Sequence, residues 1–215
     1  MRRLYSVLIG VAALVSSSAT ASDAVPRTSQ DQKQSPFMRI HGQALPPIGY
    51  VQFCERHPFD CEPTANEQAR IELTTQRLSE LDTINRTINR TIEPASDLEL
   101  YGVEEYWEYP DARQKGDCED YVLLKRKQLI ALGWPHAALL ITVVMDERNE
   151  GHAILSVRTA QGDFVLDNKN DEIKPWYRTP YRYVMRQSFI HPRIWVSLEP
   201  KEQKAVPVAG VKRSR

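Results

Sequence analysis

The sequence predicts an α+β fold, with N-terminal helices, a cysteine at a helix start, and an antiparallel β-sheet against which the helices pack. Three observations lead there. Apolar residues recur at steps of three, four and seven across residues 66–91, which is helical spacing. A second periodic segment opens at Asp117 and carries Tyr121, Val122, Leu124, Leu129 and Leu132, with Gly133 placed as its C-terminal cap. Three strand-like runs, 139–145, 152–157 and 164–167, then follow with turn-rich stretches between them, the pattern of antiparallel hairpins.

The chain has 215 residues. It opens with Arg2-Arg3, an apolar run over 4–15, and the small-residue site Ala19-Thr20-Ala21. That order is a secretory signal peptide, residues 1–21; the apolar run is shorter than the roughly 20 residues a membrane span needs. Removing it takes away Arg2 and Arg3 and no acid, leaving 26 basic against 28 acidic side chains. A balance so near neutral, without a basic patch, argues against nucleic acid as a partner. No later segment is apolar enough to insert in a bilayer. Residues 22–44 read as a disordered leader, 45–199 as one domain, and 200–215 as a disordered basic tail.

Along the domain, residues 45–53 carry two prolines and a glycine and read as a loop or short strand. Cys54 and Cys61 flank His57-Pro58-Phe59-Asp60, close enough for a loop-closing disulfide. With three cysteines in an exported chain that pairing leaves Cys118 free; the alternatives are that Cys118 pairs with either of the others or is inert and buried, or that Cys54, His57 and Cys61 form a zinc site, for which a fourth ligand is not evident. Within the helix of 66–91, Thr83-Ile84-Asn85-Arg86 is echoed by Thr87-Ile88-Asn89-Arg90. Asn85 and Asn89 then share one face, a polar face suited to satisfying a neighbouring loop. Pro94 stops the helix. Beyond an aromatic and acidic stretch over 100–109, residues 181–185 and 194–196 add further strand candidates.

Chemistry concentrates at Gly116-Asp117-Cys118-Glu119-Asp120-Tyr121. A helix N-terminus favours a thiolate and offers N–H groups to an oxyanion. The flanking acids oppose this: at about 5 Å and an effective dielectric of roughly 20, each negative charge disfavours the thiolate by about 3 kcal/mol. A cation must therefore visit the site if Cys118 is a nucleophile. Capping is the competing role, with Asp117 at N-cap and Asp120 at N3, and it gives Glu119 no task. His152, Ile154 and Ser156 face one side of their strand, and Val165 and Asp167 one side of the next, so a hairpin through 159–163 brings His152 beside Asp167. A cysteine at a helix start, a histidine on an adjacent strand and an aspartate to orient it make a nucleophile, a base and an orienter.

Gly116-Asp117-Cys118-Glu119-Asp120-Tyr121, Lys125-Arg126, Gly133, His152-Ala153 and Val165-Leu166-Asp167-Asn168 together resemble the bacterial transglutaminase-like cysteine proteinases, in their periplasmic branch. The likeness runs over about 45–197 and takes in Phe53-Cys54, Cys61, Trp107 and the segment 188–195. It implies a papain-like, transglutaminase-like core in which Cys118 attacks a peptide carbonyl, His152 moves the proton and Asp167 orients the imidazole. It also implies calcium dependence, with Asp117 and Glu119 as ligands and backbone carbonyls, water or Asp120 completing the shell. Trp107 is either a core aromatic or an oxyanion donor through its indole N–H; the backbone N–H of Cys118 is the better oxyanion candidate. The implied partners are a large surface adhesin as substrate, cut in its N-terminal region to release cells from a biofilm, and an inner-membrane cyclic-di-GMP receptor as inhibitor. The rival readings are a transamidase or peptidoglycan amide hydrolase using the same three residues, and a non-catalytic calcium-stabilised binding protein.

Overall fold

Seven strands form one sheet in the order β1-β9-β8-β4-β5-β6-β7, every neighbouring pair antiparallel, in the computed structural model, which describes residues 35–200. The strands are β1 (Gly42–Ala44), β4 (Leu139–Met145), β5 (Gly151–Thr159), β6 (Gly162–Leu166), β7 (Lys174–Pro175), β8 (Arg182–Gln187) and β9 (Trp195–Ser197). A short parallel pair, β2 (Glu93–Pro94) and β3 (Lys115–Gly116), lies apart. The helices are α1 (Ile48–Arg56), α2 (Thr75–Thr91), α3 (Asp97–Tyr101) and α4 (Cys118–Ala131). The α+β expectation holds. None of the described helices is long and apolar enough to cross a membrane.

α4 is the central helix. It packs on β5 on one side and α2 on the other, so Val122, Leu123 and Leu129 enter the main core while Tyr121 joins Ile88 and Ile92 of the α2 side. Its end is a Schellman motif: Gly133 adopts φ 87°, its N–H donates to Ile130 O, and Trp134 N–H donates to Leu129 O. The hairpins fall at the expected turns. Met145 pairs with Gly151 across residues 146–150, and Thr159 pairs with Gly162 across the next turn.

Three boundaries differ from the expectation. Residues 35–44, assigned above to a disordered leader, join the fold: β1 pairs with β9, and Met38 is buried against Val144, Ile154 and Val165. The rest of that leader, the signal peptide and the tail beyond 200 lie outside the described residues. The segment 45–53 is largely helix, not loop or strand. Pro47 precedes α1 where its missing N–H is harmless, and Tyr50, Phe53 and Cys54, at steps of three and one, bury one face. The long helix starts at Thr75, not 66. Thr74 caps it, its hydroxyl accepting from Arg77 N–H at 3.3 Å, while Ile71 belongs to the sheet side through a bridge to Thr159.

Candidate active site

Each of the expected residues is positioned by an element boundary. Asp117 is the N-cap of α4 with extended backbone, and Cys118 is the first helical residue, its N–H among those no helical carbonyl can satisfy. Cys118 Sγ accepts from Ala153 N–H on β5 at 3.4 Å, which seats the sulfur against the sheet. The β5/β6 register pairs Leu155 with Leu166, so Asp167, one residue further, lies diagonal to His152. Their side chains meet: His152 Nε2 stands 2.9 Å from Asp167 Oδ1, both residues buried. A carboxylate acceptor places the imidazole proton on Nε2 and leaves Nδ1 as the basic nitrogen.

Cys118 and His152 line one cleft of about 430 Å³, walled by Trp107 and Glu105, by Leu45, Pro46 and Pro47, and by Val143 and Met185. The thiol is free, whereas Cys54 and Cys61 form a disulfide with Cα atoms 5.6 Å apart. That disposes of the zinc alternative, since both sulfurs are bonded and His57 Nε2 engages Glu108 Oε1 at 2.6 Å. The disulfide-closed turn also serves the cleft wall: Arg56, within it, donates to Trp107 O at 2.6 Å.

The acids do not act as the capping pattern suggested. Asp117 makes no side-chain cap hydrogen bond, and its buried Oδ1 is unpartnered. Asp120 turns to Glu108 N–H at 3.0 Å instead. Asp117 and Glu119 converge with Asp97, at the start of α3, so that one carboxylate oxygen from each lies within 4.8 Å of the others. Asp97 was not foreseen. The Ser96-Asp97-Leu98-Glu99 sequence does signal a helix start, and Ser96 Oγ accepts from Glu99 N–H, but only the fold brings that start to Cys118. Trp107 takes the core alternative: it is buried in the main core. Its indole N–H donates to Glu105 Oε2 at 3.0 Å, so it is committed to a carboxylate rather than offered to an oxyanion.

These contacts set the charges. Burial, then the charge of Glu119, push the Cys118 thiol well above its ordinary range; the Ala153 N–H opposes them and loses. Burial and the neighbouring Asp117 raise Glu119 to about 9, and burial raises Asp117 and Asp97 as well. Asp167 goes the other way. Burial raises it, but donors from His152, Tyr181 and the Lys169 amide more than offset that and hold it below the usual carboxylate value. The Asn face of α2 is used as expected: Asn85 Nδ2 donates to the carbonyls of Asn170 and Asp171, and Asn89 Nδ2 to Asp167 O at 2.9 Å.

A thiol at a helix start, facing a cleft it shares with a histidine bonded to an aspartate, on helices packed against an antiparallel sheet, is the architecture of the thiol hydrolases. Residues 40–203 match the bacterial transglutaminase-like cysteine proteinase family, and the chain belongs to it as a cysteine protease. Among solved structures, calcium-bound LapG of Legionella pneumophila has a similar fold, with TM-score 0.50 and 22% identity over 62% of this chain and 76% of that one. LapG of the same organism in two further structures, one of them EGTA-treated, gives TM-score 0.45 and 25% identity over 54% of this chain, covering 65% and 64% of those chains. No curated protein sequence matches the chain.

Proposed function

We propose that the chain is a calcium-dependent cysteine endopeptidase in which Cys118 is the nucleophile, His152 the base and Asp167 the orienter. The observation that carries this reading is that Cys118 and His152 line one cleft while Asp167 holds the far nitrogen of the imidazole. His152 Nδ1 takes the thiol proton, and the sulfur attacks the peptide carbonyl carbon. The oxyanion that forms accepts from the Cys118 N–H at the positive end of α4. Collapse to the thioester expels the amine, which leaves with the proton from the imidazolium. Water, deprotonated by His152, then releases the acid and restores the thiol.

Asp97, Asp117 and Glu119 fit calcium: all donors are oxygens, Oδ1 of both aspartates is buried without a partner, and mutual repulsion calls for a cation. Calcium held there supplies the positive charge that offsets the acids around Cys118 and so makes the thiolate accessible. That a family relative is found calcium-bound supports the choice of ion.

By the resemblance, residues 1–21 direct export to the periplasm, the substrate is the N-terminal region of a large surface adhesin, and sequestration by an inner-membrane cyclic-di-GMP receptor restrains the enzyme. Incubating residues 22–215 with the N-terminal fragment of a surface adhesin from the same genome, in calcium and in chelator, tests this. Cleavage by wild type in calcium, absent in chelator and with Cys118→Ala, is the expected result. Cleavage that persists in Cys118→Ala would refute the nucleophile.

A further inference from the structure

Asp167 lies one residue past the end of β6, where no ladder holds it, yet its carboxylate is fixed on both oxygens. Oδ1 accepts from His152 Nε2 and from the Lys169 amide, each at 2.9 Å. Oδ2 accepts from the Tyr181 hydroxyl at 2.5 Å. Tyr181, just ahead of β8, reaches the imidazole too: its ring and that of His152 meet in a T-shaped contact, with centroids 5.6 Å apart and planes at 65°. It is buried, and burial together with the bond to Asp167 keeps the phenol protonated and therefore a donor. It does not line the cleft that holds Cys118.

We propose that Tyr181 is a positioning residue for the His152–Asp167 pair, its hydroxyl fixing the carboxylate and its ring fixing the rotation of the imidazole. The inference rests on the reading of Cys118, His152 and Asp167 given above, and deepens it. Two roles follow from the geometry. The hydroxyl shares the charge of Asp167, so the carboxylate pulls less on the Nε2 proton than it would alone. The ring contact limits the turn of the imidazole about its one hydrogen bond, so that Nδ1 keeps one orientation.

Tyr181→Phe separates the two roles, because it keeps the ring and deletes the hydroxyl. The first readout is the far-downfield proton resonance of His152 Nε2–H in the calcium-loaded chain, identified by its loss in His152→Ala. In Tyr181→Phe it should move further downfield, as the charge left on Oδ1 grips the proton more tightly. Turnover of the adhesin fragment should fall about tenfold at unchanged KM. Tyr181→Leu, which also removes the ring, should broaden the resonance and slow turnover further. A folded Tyr181→Phe whose resonance stays in place overturns the proposal and leaves the triad standing. Absence of the resonance from the wild-type protein overturns the triad and this proposal together.

Discussion

Cys118 carries its sulfur into surroundings that favour the thiol over the thiolate, and its reactivity is therefore conditional. Among the described residues it is the one free cysteine, so a single thiol per chain should react with an alkylating reagent without reductant, and peptide mapping should place the label on Cys118. Label on Cys54 or Cys61 would contradict the disulfide. Asp97 contributes a carboxylate to the acid trio from a different helix than Cys118, so Asp97→Asn should weaken calcium binding roughly tenfold or more by calorimetric titration. Unchanged affinity would remove it from the ligand set. Asp167→Asn keeps the size of the side chain but loses the charge that selects the imidazole tautomer, and turnover should fall by roughly 10³–10⁴-fold. The three residues proposed as nucleophile, base and orienter, Cys118, His152 and Asp167, stood out in sequence because each sits at a boundary that local rules mark: a helix start after Gly116, a strand start after Gly151, and a strand end before a turn. Asp97 and Tyr181 did not, since nothing local distinguishes an acid in a first helical turn or a tyrosine after a proline.

At the scale of elements, the strands read clearly because short β-rich runs alternate with Gly- and Asn-containing turns, and β4 spans the expected 139–145. α1 did not, because Pro46, Pro47 and Gly49 look like breakers until the helix is seen to start after the prolines. Gly49 has a further reason to be there. A Cβ on it would meet Trp107 Cδ1 at 2.4 Å and Nε1 at 2.7 Å, so α1 and the cleft wall approach as closely as they do only over a glycine. Gly49→Ala should therefore displace Trp107, altering its fluorescence and costing about 1–3 kcal/mol of stability by denaturant unfolding. Retention of the wild-type spectrum and stability would show that the wall yields without consequence. The start of α2 was misplaced because Ile71 continues the helical spacing by coincidence; its backbone bonds go to Arg158 and Ala160 instead.

For the whole molecule, calcium and pH act on one balance. With no cation among the acids, burial and the charge of Asp117 push Glu119 up to about 9 from an ordinary 4.5, and burial, with Asp117 beside it, pushes Asp120 up to about 8 from 3.8. The folded chain thus binds protons that the unfolded chain has released, and its stability must decline as pH rises from about 4 toward about 9. Thermal melts in chelator should show that decline, and calcium should flatten it while raising stability by about 2.7 kcal/mol at a hundredfold excess over its Kd. A chelated protein that gains stability over that range would contradict the charge assignment. The class of fold was legible from periodicity alone, whereas the meeting of α3 with the start of α4 depends on long-range packing that no window of sequence contains. The most direct test of the link between acid pocket and thiol is the rate of Cys118 alkylation at neutral pH as calcium is titrated, for wild type and for Glu119→Gln, which lacks one carboxylate of the trio. The rate should climb with calcium in the wild type and respond far less to calcium in the variant. An equal wild-type rate in calcium and in chelator would contradict the account.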